Sequence, residues 1–223
     1  MLSTSSLAKC YGSYQVFTDI NLSFKRGEIH GIVGANGAGK TTLFKCICGL
    51  ESFDGKIMYD RGILKNETGY LPAEPYFFAN MTGYEYLQLL CNARNREVSD
   101  MNAFNLFSLP LSKYAETYST GMQKQLAITG ILLQKNEIFV LDEPFNGVDI
   151  ASSRVIKEIL GRLKQSNKIV IMSSHILSSL QESCDYLHYL KDGKIVKTVS
   201  KGEDFGIEIE NNGKVKSILD SLI

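Results

Sequence analysis

Apolar and polar positions alternate with period two from Val16 to Phe24, the pattern of a half-buried strand, and residues 2–25 as a whole read as strands with a turn at Lys9-Cys10-Tyr11-Gly12. Three later stretches are nearly continuous in apolar residues: Ile29-His30-Gly31-Ile32-Val33, Ile138-Phe139-Val140-Leu141, and Ile169-Val170-Ile171-Met172. Such runs suit strands covered on both faces, as in parallel sheets. Asp54-Gly55 reads as a hairpin turn into Lys56-Ile57-Met58-Tyr59, and Gly69-Tyr70-Leu71 as a short strand ending at Pro72. Residues 185–190 and 194–199, joined by Asp192-Gly193, read as a second hairpin. Helical spacing enters at Thr42–Cys48, stopped by Gly49, and residues 83–135 read as mainly helical. There Tyr84, Leu87, Leu90 and Cys91 share a face, Phe104, Leu106, Phe107, Leu109 and Leu111 read as core, and Ser119 suits an N-cap. Tyr76-Phe77-Phe78 lie in a Pro-punctuated loop; packed they are core, exposed they mark a docking surface.

Between the first apolar run and the first helix stands Gly34-Ala35-Asn36-Gly37-Ala38-Gly39-Lys40-Thr41-Thr42, which fits G-x-x-x-x-G-K-[ST]. The glycines let successive backbone N–H groups turn toward one phosphate chain. The helix that follows adds its N-terminal partial positive charge to the same site. Lys40 would reach the β- and γ-phosphates, and the Thr41 hydroxyl would ligate Mg²⁺. A strand before and a helix after are the context this loop requires, and both are present.

Two acids, Asp142 and Glu143, end the run at Leu141. The C-terminal end of a core strand is where ligands bind in open α/β sheets. After a phosphate loop, Asp142 would support Mg²⁺ and Glu143 would polarise the attacking water. The run ending at Met172 is likewise followed by Ser173-Ser174-His175, where the histidine could contact a γ-phosphate. Tyr11 could stack on a base, although spacing alone favours a turn-packing tyrosine.

Composition narrows the class. The chain has 223 residues, 44% apolar and 22% charged, with a formal net charge of +0, so the basic bias of a nucleic-acid binder is missing and none is expected as partner. Five cysteines without zinc spacing read as free thiols of a reducing cytosol. No apolar run approaches the ~20 residues of a membrane span, so action at a membrane would require a partner. No internal repeat or heptad run is present, and residues 201–223 carry no motif.

Taken together, residues 2–200 resemble the nucleotide-binding subunit of an ATP-binding cassette (ABC) transporter. The most specific mark is Tyr118-Ser119-Thr120-Gly121-Met122, which is similar to the family's LSGGQ signature. Its Tyr-first, Met-last form resembles the branch that serves ABC-2 type permeases, including peptide and antibiotic exporters. The resemblance implies one α/β domain over residues 1–223: a RecA-like P-loop NTPase core, an antiparallel β subdomain, a helical subdomain at about 76–130 holding the signature, and a tail at about 201–223. It implies ATP and Mg²⁺, with Thr41 and Asp142 on the metal and Glu143 and His175 catalytic. Tyr11 then matches the aromatic that stacks on adenine, which reverses the reading from spacing. Gly34, Asn36, Gly37, Gly39, Lys40, Thr41 and Thr42 match the phosphate loop, and Asn146-Gly147-Val148-Asp149 match the D-loop. Two subunits, alike or not, would face head to tail, each ATP held between one subunit's phosphate loop and the other's Ser119 and Gly121. A separate transmembrane permease, bound through the helical lobe, would place the chain on the cytoplasmic face of the membrane. Two positions depart from the pattern: Thr120 stands where the signature has its first Gly, and Ala73 where the family has a Mg²⁺-ligating Gln. The competing classes are a soluble ABC ATPase acting on ribosomes, DNA or iron–sulfur assembly, and a P-loop kinase outside the family.

Overall fold

The uninterrupted apolar runs form the middle of a sheet. In the computed structural model, which describes residues 1–174 and 177–202, the order is β1 (Leu2–Tyr11), β2 (Tyr14–Phe24), β3 (Glu28–Val33), α1 (Lys40–Ile47), β4 (Asp54–Tyr59), α2 (Leu64–Glu67), β5 (Thr68–Leu71), α3 (Gly83–Asn92), α4 (Thr120–Leu133), β6 (Ile138–Leu141), α5 (Ile150–Gln165), β7 (Ile169–Ser173), α6 (Leu177–Ser183), β8 (Tyr186–Lys191) and β9 (Lys194–Ser200). Six strands pair in the order β5-β6-β7-β3-β8-β9, parallel except for β9, while β2-β1-β4 form a separate antiparallel sheet.

The large sheet divides the interior in two. Because successive strand residues point to opposite faces, Ile138 and Val140 of β6 and Ile169 and Ile171 of β7 join α1 and the antiparallel sheet in one cluster, with Phe17, Ile20, Phe24, Leu43, Phe44 and Ile47. Their alternates Phe139, Leu141, Val170 and Met172 join α3, α4 and α5 in the other, with Leu87, Leu126, Ile128, Ile156 and Leu160. Every residue of β6 and β7 is therefore buried, which is why these strands read as continuous apolar runs. The antiparallel β2 has one wet face, but the period-two pattern expected from Val16 to Phe24 holds only from Ile20 through Leu22 to Phe24; Asp19, at φ 52°, shifts the phase, so Phe17 rather than Val16 is fully buried.

The structure corrects several expectations. β1 runs through Tyr11, and the turn sits one step later at Gly12-Ser13, with Tyr11 opposite Tyr14. Asp54-Gly55 is not a hairpin turn; it opens β4, which pairs antiparallel with β1 beside a bulge at Ser6. Residues 93–119 are not helical apart from two short 3₁₀ turns, at Asn102–Phe104 and Ala115–Thr117. In that segment Leu109 and Leu111 are buried, but Phe104 and Leu106 are half exposed, and Tyr84 at the start of α3 faces solvent. The aromatic loop splits: Phe77 is buried against Tyr86, while Tyr76 and Phe78 are exposed and meet edge to face at 5.4 Å. Capping decides the helix starts in the loop-rich region. Thr82 and Glu85 form a reciprocal capping box at α3, and Ser119 Oγ accepts from the Met122 N–H at 3.3 Å to open α4. Among the described residues no helix is long and apolar enough to cross a membrane.

Candidate functional site

The sheet order places β7 between β3 and β6, so three loops leave the same end of the sheet side by side. The loop after β3 is residues 34–39. Gly37 and Gly39 lie at φ 81° and 101°, in the region that glycine enters without strain, and Gly39 opens α1 with no side-chain cap. The first amides of α1 are thus left for a ligand, and the helix N-terminus favours an anion there. Lys40 is buried at 7% exposure, its Nζ folded back onto the Gly34 and Ala35 carbonyls at 2.8 and 3.1 Å.

The loop after β6 brings the acids. Asp142 is buried, and each carboxylate oxygen accepts a hydroxyl: Thr41 Oγ1 donates to Oδ2 at 2.6 Å and Ser173 Oγ donates to Oδ1 at 2.5 Å. One hydroxyl and one carboxylate, 101 residues apart in the chain, thus converge beside the phosphate loop. Two hard oxygens suit Mg²⁺, which takes few protein ligands and keeps water and phosphate in its remaining positions. Glu143 follows with φ 52°, the left-handed region, which costs a residue with a side chain on the order of 1 kcal/mol or more. Its N–H donates to Ser173 Oγ at 3.0 Å, and its C=O accepts from Lys124 Nζ at 2.7 Å. Lys124 has no exposed surface; burial lowers its pKa, against the pull of Glu143, Asp142 and Glu74.

A cleft of about 400 Å³ gathers Tyr11, Asn36, Gly37, Gly39, Lys40, Thr41, Thr42, Asp142 and Glu143 of the expected set, with Ala73, Tyr14 and Val16 in its wall. Tyr11 is 47% exposed, with Lys9 Nζ 4.6 Å from its ring centroid. Lys9 is itself buried and held by Glu51 at 3.2 Å and Ser52 at 3.2 Å. One face of the ring is therefore occupied by a cation. Gly34 sits at the root of the loop, as a carbonyl partner of Lys40.

Ser119 and Gly121 do not line this cleft. They open α4 beside the D-loop residue Gly147; a Cβ on Gly121 would lie 2.5 Å from the Gly147 carbonyl oxygen, so this backbone approach requires glycine. Gln125 Nε2 donates to Ser152 Oγ at 2.7 Å, and Asp149 caps α5 through the Ser152 N–H at 2.9 Å, which ties the two segments together. His175 lies outside the described residues. Sequence reasoning passed over Lys124; its available signal was a lysine one turn from Gly121 and one turn from Ile128, in a helix that is buried nearly all round. A larger groove of about 560 Å³ lies beside the N-terminal ends of β6 and β7. Leu132, Phe139, Ile159 and Leu163 line it, and it holds none of the motif residues.

Known proteins share this chain's sequence pattern and fold. Residues 17–146 match the ABC transporter family. The bacitracin transport ATP-binding protein BcrA of Enterococcus faecalis is 33% identical over 216 residues, covering 91% of this chain and 70% of that protein. The lantibiotic transport ATP-binding protein SrtF of Streptococcus pyogenes is 28% identical over 207 residues, covering 88% and 89%. Among solved structures, the ATP-binding subunit of an ABC transporter superposes with a TM-score of 0.79 at 26% identity over 90% of each chain. A dimeric ATP-binding cassette holding ADP and Pi shares the fold with a TM-score of 0.81 at 20% identity, over 90% of this chain and 99% of that one. The chain therefore belongs to the ABC transporter family, as an ATP-binding, ATP-hydrolysing subunit.

Proposed function

We propose that the cleft holds Mg²⁺-ATP between this subunit and a second one, and that its hydrolysis drives a separate transmembrane permease. The observation that carries the reading is the Thr41–Asp142 contact of 2.6 Å at the N-terminus of α1. A hydroxyl and a carboxylate held there would hold Mg²⁺ beside phosphates bound to the loop amides. The metal neutralises phosphate charge when bound. Tyr11 stacks on the base with the face that Lys9 leaves free. The loop amides, with Asn36 and Thr42, hold the phosphates, and Lys40 gives up the Gly34 and Ala35 carbonyls to reach them. Glu143 orients water for attack on the γ-phosphorus and takes up its proton as ADP leaves; such phosphoryl transfer depends on positioning and charge more than on covalent chemistry. His175 is kept as a γ-phosphate contact on the resemblance alone. Ser119 and Gly121, standing away from the subunit's own cleft, serve the other subunit's nucleotide.

The partners follow the same reading. The pair is two copies or one copy and a paralogue, and the permease docks on a helical lobe at about 76–130, to which the exposed Tyr76 and Phe78 belong. Relatives named for bacitracin and lantibiotic transport support export, with a peptide antibiotic as the class of cargo. The subunit then sits on the cytoplasmic face of the membrane, peripheral to it.

Two measurements test this. Glu143→Gln should bind ATP, hydrolyse it poorly and accumulate a closed dimer; wild-type turnover in that variant removes Glu143 from its role. Tagged protein recovered from solubilised membranes should bring a stoichiometric multi-span protein with it. Recovery of ribosomes or DNA instead would remove the permease from the reading while leaving the ATPase.

A further inference from the structure

We propose that Lys124 is a positioning residue for Glu143, a strut from the signature helix to the main chain of the acid that orients water. The proposal rests on the role given to Glu143 above. Lys124 lies on α4, one turn after Gly121, and is fully buried. Burying an ammonium is costly, and an apolar side chain of the same length fills such a position without that cost. The gain therefore lies in what the ammonium touches, which is the Glu143 carbonyl oxygen at 2.7 Å.

That carbonyl belongs to a backbone that needs holding. Glu143 has φ 52°, and a residue with a side chain stays in the left-handed region only where its surroundings over-determine it. Here side chains from two elements do so from opposite sides of the residue, beside the turn in which the Asn146 N–H donates to the same Glu143 carbonyl at 3.1 Å. Ser173 of β7 accepts from the Glu143 N–H at 3.0 Å, and Lys124 of α4 donates to its C=O. Fixing the amide and the carbonyl fixes the Cα–Cβ direction, hence where the carboxylate starts. Burial lowers the Lys124 pKa, and the Glu143, Asp142 and Glu74 carboxylates oppose that shift.

The strut also joins two sites. The first turn of α4 carries Ser119 and Gly121, and Gly121 packs on Gly147 of the D-loop. A displacement of this turn, such as engagement of the other subunit's nucleotide would cause, is passed through Lys124 to the backbone of the water-orienting acid. Each cleft is thereby registered to the state of the opposite one through a single buried side chain.

The test is a double-mutant cycle on the full chain, measuring Mg²⁺-ATPase kcat, KM and ATP affinity for wild type, Lys124→Met, Glu143→Gln and the double variant. Lys124→Met should lower kcat about tenfold or more, the scale on which a displaced catalytic group costs rate, with KM and ATP affinity within about threefold. Lys124→Gln, which keeps an N–H donor, should recover part of the loss. In the Glu143→Gln background, Lys124→Met should lower the residual single-turnover rate by less than about twofold, since one group acts through the other. A kcat fall of less than about fivefold in Lys124→Met, with Glu143→Gln slow, overturns the strut and leaves the role of Glu143 standing. Losses that multiply in the double variant also overturn it, because they describe an independent or purely structural lysine. Wild-type turnover in Glu143→Gln sinks the catalytic reading and the strut together. Should Lys124→Met fail to fold, Lys124→Gln and its double with Glu143→Gln complete the same cycle.

Discussion

Lowering the pH from 7 to 5 should destabilise this protein by about 4 kcal/mol, and two buried histidines should account for it. His30 of β3 and His188 of β8 are 2% and 4% exposed, stacked at 5.4 Å between ring centroids, with His30 Nδ1 3.1 Å from His188 Nε2. Phe24 meets both edge-on, Tyr186 stacks on His30, Thr198 Oγ1 lies 2.9 Å from His188 Nδ1, and Glu28 lies 3.2 Å from His30 Nε2. A neutral pair satisfies the contacts at three of the four ring nitrogens: Thr198 donates to His188 Nδ1 and His188 Nε2–H donates to His30 Nδ1, while His30 Nε2, near the Glu28 carboxylate, makes no hydrogen bond. Burial, and for His30 also the neighbouring His188 and Lys25, lower the pKa values to about 3 for His30, despite Asp185, and about 4 for His188. With an unfolded value of about 6.5, the unfolded chain binds protons below that pH while the folded chain resists until about 4 and then about 3. This stability is therefore complete above pH 6.5 and is lost as pH falls. Each group contributes about 1.9 kcal/mol between pH 7 and 5, close to 1.4 kcal/mol for each pH unit once the unfolded side chain titrates. Urea unfolding at pH 7, 6 and 5, without nucleotide and in EDTA, reads the change directly. The double variant His30→Gln/His188→Gln should lose most of the pH slope whatever its stability at pH 7; His175 is present in both chains and cancels in the difference. A drop below about 1 kcal/mol in the wild type, or an equal drop in the double variant, refutes the buried neutral pair.

Other consequences are simpler to read. Tyr11→Ala should weaken ATP binding about fivefold or more, since stacking is worth about 1–3 kcal/mol per base, with little change in kcat at saturation; unchanged affinity removes Tyr11 from the base. Ala73→Gln should raise the basal ATPase about threefold or more, by adding an amide oxygen that would help hold Mg²⁺; identical rates and coupling would show that the departure at 73 is silent. A thiol reagent should titrate one cysteine in the native protein and five in denaturant, because Cys10 is exposed while Cys46, Cys48, Cys91 and Cys184 are buried. Burial pushes the Cys46 thiol up to about 11 and Cys184 up to about 12, so a second fast-reacting thiol in the native state contradicts this packing.

What is local in this chain was legible without coordinates. The phosphate loop declares itself because its chemistry needs glycines, a lysine and a hydroxyl at fixed spacing, and the apolar runs of β3, β6 and β7 declare a two-sided sheet because both faces are covered. Ser119 could be read as a cap because a cap acts within one turn of its own helix. Between Ala93 and Tyr118 the same reasoning failed. Phe104 and Leu106 carry the composition of core, yet whether an apolar residue is buried depends on what covers it, and nothing nearby in sequence says so. The strand that opens at Asp54-Gly55 was hidden for a related reason: its partner is β1, about fifty residues earlier, so a turn-forming dipeptide stood where no turn was needed.

The convergence of the site was decided in tertiary structure alone. Thr41 and Asp142 are 101 residues apart, and they meet because β7 sits between their strands and carries Ser173 to brace the carboxylate from the other side. Sequence determined which groups could hold a phosphate chain and a metal. It was silent on the left-handed backbone of Glu143 and on the buried lysine that holds its carbonyl, since both arise from the distance between a helix and a strand end that are not neighbours in the chain. Periodicity and motif spacing record what each segment needs from its own few residues; the geometry of a reaction site is set by how far apart packed segments come to rest.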